Sequence, residues 1–218
     1  MVNAVLDQKI VQNDFSKVMF GRQSVRKFNP DKKISRDELQ AMIAEATTAP
    51  SACNLQSWHF VVVDTPEGKE KAKSVMMKFN HPQLDSCSAM IFVLGDTLSY
   101  KSYRDVWNKA ADEGRITPEK RDEVFKTFLP LYESATPEFL TMDATIDASM
   151  AAMQLMLVAR AHGYDTNPIA GYAADKVVET LGLDKTRYVP IVAIAVGEAA
   201  ETPIESERYA APDITEFL

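Results

Sequence analysis

Apolar positions along this chain repeat with two periods, and the switches between them mark its elements. Leu39, Met42, Ile43 and Ala46 fall at i, i+3, i+4 and i+7, one face of a helix. Ser35, with Glu38 three residues on, is a capping-box start for that helix, and Pro50 marks its end. Trp58 to Val63 (W-H-F-V-V-V) and Ala89 to Leu94 (A-M-I-F-V-L) are apolar runs of strand length; so is Tyr188 to Val196, closed by Gly197. The charged stretch from Glu67 to Phe79 reads as a helix, and residues near 3–20 as another. Thr117-Pro118-Glu119 and Thr136-Pro137-Glu138 each set a cap residue before Pro at the first helical position. The second opens a long helix ending at Gly163, with an Ala- and Met-rich centre suited to burial on several sides. A further helix is expected near 173–181. Strands separated by helices predict an α/β or α+β layered fold, with no βαβ rhythm strong enough for a doubly wound sheet.

With 218 residues and 46% apolar positions, the chain suits one domain, with a polar tail from about residue 203 to 218 that has no core periodicity of its own. The net charge of −7, from 24 basic and 31 acidic residues, argues against a nucleic-acid surface, because phosphate backbones require clustered cations. It leaves room for a small phosphate pocket. Two cysteines, Cys53 and Cys87, are too few for a disulfide framework and suit a reducing, cytoplasmic setting. The N-terminus lacks an apolar run of signal length. The most apolar stretch, Ala148 to Ala159, is shorter than the roughly 20 residues a bilayer span requires, so no membrane association is expected.

Most familiar catalytic signatures are missing. No two glycines stand two residues apart, so neither the dinucleotide fingerprint nor the phosphate loop is present. His59, His81 and His162 lie far apart and suggest no metal site. An enzyme built this way takes its chemistry from a cofactor, with no side chain singled out as catalytic.

Three segments carry candidate chemistry. In Arg22-Gln23-Ser24-Val25-Arg26-Lys27-Phe28, an extended chain sets Arg22, Ser24 and Arg26 on one side, two guanidinium forks and a hydroxyl suited to a phosphate dianion. The alternative is a solvated basic turn. Ala49-Pro50-Ser51-Ala52-Cys53-Asn54-Leu55-Gln56-Ser57-Trp58 joins a helix to a strand with small and amide residues that can approach a planar polar ligand. The alternative is an ordinary connection. In Asn167-Pro168-Ile169-Ala170-Gly171-Tyr172, Pro and Ile offer an apolar face, and the N–H groups of Ala170 and Gly171 can donate to a ring nitrogen. The alternative is a turn before a helix.

In this order the segments resemble the motifs of the FMN-dependent nitroreductase family: R-x-S-x-R/K, A-P-S-x-x-N-x-Q-x-W and P-I-x-G-[FY], with Arg208 as the C-terminal basic residue. The match runs from about residue 20 to 212. The resemblance implies an α+β fold, a mainly antiparallel central sheet flanked by helices, and an intertwined homodimer whose tail (about 203–218) packs on the partner chain. It also implies FMN at the dimer interface and NAD(P)H as electron donor. By position, Arg22, Ser24, Arg26 and Arg208 would hold the phosphate and ribityl side, and Gln23 the ring or ribityl. Pro50, Ser51, Ala52 and Asn54 would come from the partner, and Asn80 would reach the flavin's polar edge. Pro168 and Ile169 would cover one ring face, with the amides of Ala170 and Gly171 near N5.

Three positions depart from well-known members: Ala170 where some carry Glu, and Gln83 and Ser206 where Lys is found. A neutral Gln83 leaves more of the stabilisation of a reduced, anionic flavin to Arg26. The resemblance implies two half-reactions at one site, from NAD(P)H to flavin N5 and then to a nitroaromatic, quinone or other electron-poor small molecule. The alternatives are a flavin reductase, enone reductase or dehalogenase on the same site, and a flavin-storage protein with little turnover. Phe125, Phe128 and Tyr132, at i, i+3 and i+7, would line an acceptor channel or pack the core. Cys53 reads as a small residue in a tight loop or as a redox thiol.

Overall fold

The computed structural model describes residues 10–218. The part of the expected first helix that falls on residues 3–9 lies outside the described residues. Residues 10–14 are not helical, and α1 spans Phe15–Gly21, capped by Asp14, which accepts from the Ser16 N–H at 3.0 Å. Helix α2, Arg36–Ala46, starts at Ser35, whose hydroxyl accepts from the Glu38 N–H. The Glu38 carboxylate accepts instead from the Tyr164 hydroxyl at 3.0 Å, so only one half of the capping box is used as the sequence suggests. Strand β1 is Trp58–Val63, and β2, Ala89–Asp96, is buried along its whole length.

The charged helix expected over 67–79 is shorter. Helix α3 covers Pro66–Lys73, followed by a 3₁₀ turn at Lys78–Asn80 and by α4, His81–Ser86. The intervening backbone is spent on a distant segment: Ala173 N–H donates to Val75 O at 2.8 Å and Met77 N–H to Gly171 O at 2.9 Å. Helix α5 (Tyr103–Asp112), which no periodicity marked, precedes α6 (Pro118–Glu133) and α7 (Pro137–Ala161). Helix α7 stops where Gly163 takes φ +90°, and Tyr164 N–H returns to Ala159 O at 2.9 Å. Strand β3 (Asp165–Ile169), α8 (Ala174–Thr180) and β4 (Tyr188–Gly197) follow.

The four strands form one antiparallel sheet in the order β1-β2-β4-β3. Period-two alternation divides its side chains between two helical layers. Met90, Phe92, Leu94, Ala193 and Ala195 face Ala72 of α3, Leu84 of α4 and Val177 and Val178 of α8. Ala89, Ile91, Val93, Ile194 and Val196 face Leu39, Met42 and Ala46 of α2 and the small-residue face of α7, Ala148, Ala152 and Ala159. A third cluster, around Leu55, Tyr103, Val124, Leu129 and Tyr132, joins α5 and α6 to the loop before β1. The architecture is α+β, a central antiparallel sheet flanked by helices, as expected. Among the described residues no helix is long and apolar enough to cross a membrane.

Candidate functional site: a sheet-edge cradle and a strained loop

The basic segment runs beside the β3 edge of the sheet. Ser24 pairs with Thr166, and Val25 N–H donates to Thr166 O at 3.1 Å. Val25 and Phe28 are fully buried in the first core cluster, which fixes the register of the polar residues between them. Arg22 and Ser24 are half-buried and Arg26 is exposed. Two carriers of this conformation are unmarked in the sequence. Glu201 accepts from the N–H groups of Arg26 at 2.7 Å and Lys27 at 3.1 Å, and the Ser86 hydroxyl accepts from Phe28 N–H at 3.2 Å. Gln83 lies one turn before Ser86 on α4, so the two share a helix face turned toward this segment.

The segment 167–172 is partly strand. Pro168 sits at the sheet edge, where its missing N–H is tolerated. Pro168 and Ala170 are exposed, whereas Ile169 is buried in the core. The expectation that Pro168 and Ile169 together present an apolar face is corrected here: the Ile169 side chain is taken by the core. Asn80 is buried and donates its side-chain N–H to Gly171 O at 2.9 Å. A Cβ on Gly171 would stand 2.3 Å from that nitrogen, so glycine is required for the approach. Around this cradle the amide oxygens of Gln23 and Gln83 and the Thr166 hydroxyl are buried without a hydrogen-bond partner among the described residues.

The 50–57 loop is elsewhere. It leads into β1, at the opposite edge of the sheet from β3, three strand spacings or roughly 14 Å away. One chain therefore does not bring Pro50, Ser51, Ala52 and Asn54 to Arg22, Ser24 and Gly171. Cys53, Asn54 and Gln56 have φ of 49°, 59° and 53°, a left-handed conformation that costs energy in residues with a Cβ. Leu55 anchors the loop in the third cluster. Asp147, fully buried on α7, accepts from Ala52 N–H at 2.9 Å and Ser57 N–H at 3.3 Å. Sequence reasoning missed Asp147. The available signal was a carboxylate on the helix face of Ala144, Ala148 and Ala151, all buried. Burial raises its pKa, and its hydrogen bonds from Ala52 and Ser57 partly oppose this. Asp143, one turn earlier, is pushed up to about 6 by burial and by the Asp147 charge.

Tyr132 is buried, and Phe125 and Phe128 are half-buried against the same cluster, which is the packing alternative for Tyr132. Arg104 stacks over the Phe125 ring at 5.1 Å. Arg208 lies on the exposed tail, where its guanidinium donates to Glu207 O at 2.8 Å; among the described residues no hydrogen bond joins it to the basic segment.

Comparison with known proteins agrees with this geometry. The nitroreductase family model matches residues 19–198. A Lactiplantibacillus plantarum protein named as a CLA biosynthesis enone reductase is 61% identical over 211 residues, 97% of each chain. A Bacillus subtilis (strain 168) protein named as an NAD(P)H nitroreductase is 40% identical over 95% of this chain and 99% of its own. A crystal structure from Exiguobacterium sibiricum, named as a nitroreductase in complex with FMN, superposes with a TM-score of 0.92 at 38% identity, covering 95% of this chain and 98% of that one. The chain belongs to the nitroreductase family and is an oxidoreductase.

Proposed function

We propose that this protein is a homodimeric FMN-dependent oxidoreductase that takes hydride from NAD(P)H and delivers it to an electron-poor acceptor, with conjugated enones as the preferred class. The observation that carries the cofactor is the cradle along β3. Two buried amide oxygens lack a hydrogen-bond partner among the described residues: Gln23 Oε1, on the segment that holds Arg22, Ser24 and Arg26, and Gln83 Oε1, on the helix that follows Asn80, the residue bonded to Gly171. A flavin mononucleotide has the matching donors in its ring imide and ribityl hydroxyls, and a phosphate for the arginines. The residues present therefore fit the group.

FMN, when bound, accepts and donates hydride at its N5. The protein's part is placement. Arg22, Ser24 and Arg26 hold the phosphate and ribityl chain. Gln23, Gln83 and Asn80 would hold the polar edge of the ring, and the backbone N–H groups of Ala170 and Gly171 would serve its N5 side. Pro168 covers part of one face. No side chain is assigned as acid or base.

The sheet order supports a second copy. Pro50, Ser51, Ala52 and Asn54 stand too far from the cradle in one chain, so they complete the partner's site. The tail from 203 to 218 is exposed, and its hydrogen bonds among the described residues are internal. It packs on the partner and brings Arg208 to the cofactor phosphate. Phe125 and Phe128 line the acceptor side.

The enone preference rests on the 61% identical relative. It is tested by steady-state kinetics with NADH and NADPH against a conjugated enone, a quinone and a nitroaromatic. Parallel double-reciprocal lines and a kcat/KM for the enone at least about tenfold above the nitroaromatic, ~1.4 kcal/mol in the barrier, are expected. Turnover of the nitroaromatic but not the enone would sink the preference. Flavin reduction followed by no acceptor turnover would instead point to a storage protein.

A further inference from the structure

We propose that Asp147, which lies outside all four motifs, is the positioning residue that holds the 51–57 loop in its cofactor-contacting shape, and that protonation of its carboxylate releases the loop. The inference rests on the FMN reading of the loop given above.

The loop does not hold its shape by itself. Three of its residues, Cys53, Asn54 and Gln56, sit in the left-handed region without being glycine. Backbone of that kind persists only where the surroundings over-determine it. The two amides that bracket these residues, Ala52 N–H and Ser57 N–H, both end on Asp147, one on each carboxylate oxygen. Its other ties are local turns, Asn54 N–H to Ser51 O at 3.2 Å, Leu55 N–H to Ala52 O at 2.8 Å and Trp58 N–H to Gln56 O at 2.7 Å, together with Gln56 N–H to the Ser51 hydroxyl at 3.1 Å, Asp96 N–H to Ser57 O at 3.1 Å, the hydroxyl pair Ser57–Ser99 at 2.7 Å and the Leu55 side chain; none of them links Ala52 to Ser57 through one group as Asp147 does. An ionised carboxylate accepts at both oxygens. Once protonated, one oxygen carries an O–H and accepts only weakly, so one bracketing amide loses its charged acceptor.

The charge environment makes this proton accessible. Asp147 has no exposed surface. The titratable groups facing it are Asp143 from its own helix and Tyr132 from α6; Cys53 of the loop faces Tyr132 and Tyr103 of α5. None of these groups is cationic. Burial raises the Asp147 carboxyl above the usual range, opposed by the N–H groups of Ala52 and Ser57 and by the Ser57 hydroxyl, and the Asp147 charge in turn raises Asp143. The loop should therefore loosen as pH falls, at a higher pH than an ordinary aspartate would require.

The test uses the full-length protein in wild-type, D143N and D147N forms. FMN affinity is titrated by flavin fluorescence from about pH 8 to about pH 5, and hydrogen–deuterium exchange is followed in peptides spanning 50–57, corrected for intrinsic rates. Wild-type affinity should fall as pH falls. D147N should bind FMN about tenfold or more weakly at neutral pH, the weight of a hydrogen bond to a charged group, with a flat pH profile. D143N should move the acid limb to lower pH without removing it. D147N with wild-type affinity, or with the wild-type pH slope, overturns the proposal. If D147N does not fold, wild-type exchange decides: protection of 50–57 that is unchanged from neutral to acid pH also overturns it. A wild type that takes no FMN at any pH defeats the flavin reading, and the exchange result still decides the clamp.

Discussion

Gly171→Ala is expected to yield protein that purifies without cofactor. The Cβ it adds falls 2.3 Å from the Asn80 side-chain nitrogen and 3.2 Å from the Phe79 ring. Asn80 cannot retreat freely, because it is buried and its amide is bonded to Gly171 O. Displacing it breaks that bond and leaves a buried amide unpaired, a loss of about 1–3 kcal/mol. It also shifts the carbonyl that accepts from Met77 N–H, and so the alignment of the 75–80 segment with 171–173. In the proposed site the same movement disturbs the N–H groups beside the flavin ring and the side chain at its polar edge. FMN affinity should fall by about 100-fold or more, ~2.7 kcal/mol, measured by fluorescence titration. The double variant N80A/G171A removes the clash, and should recover thermal stability without recovering FMN affinity. Wild-type flavin content in G171A would show that the cradle is not where the cofactor sits.

Ile146→Glu combined with Met153→Glu should produce a flavin-free monomer. Helix α7 leaves Phe139, Met142, Ile146 and Met153 between 43% and 55% exposed, spaced by three, four and seven residues along one stripe. Helix α1 exposes Phe15 and Phe20 at 64% and 76%. Apolar surface of this extent suits an interaction face. Obligate dimers bury about 2,000 Å² or more, which such a stripe together with the tail can supply. Two carboxylates in its centre would be desolvated without partners, a cost of several kcal/mol each. In the proposed shared site, where loop 50–57 of one protomer meets the β3 cradle of its partner, splitting the dimer should empty both sites. Light scattering and the absorbance ratio of flavin to protein read the two effects together. A monomeric variant that keeps its flavin would contradict the shared site.

The fold was legible where local signals and burial agree. Thr117-Pro118 and Thr136-Pro137 cap helices where the sequence places them, and β1, β2 and β4 follow their apolar runs within a residue or two. The misses have identifiable physics. Strand β3 holds Pro168 and is only five residues long, so it reads as a turn; it exists because β4 supplies its pairing. Helix α3 stops early because Val75 and Met77 pair with a segment almost a hundred residues away, which no window of local sequence contains. At the site, the motifs named the residues but not their supports. Glu201, Ser86 and Asp147 act through one or two long-range bonds to backbone, and such bonds leave no periodic trace. The fate of Ile169, core and not ring face, depended on the strand that the sequence did not reveal.

FMN binding and electron transfer through the flavin are read together in an anaerobic titration of the purified protein, after mass spectrometry of the cofactor released on denaturation. The expected result is a yellow protein with one FMN per chain, bleached by NADH or NADPH and restored to its oxidised spectrum by a conjugated enone. A colourless protein that cannot be reconstituted with FMN, or a bound flavin that neither nicotinamide reduces, would contradict it.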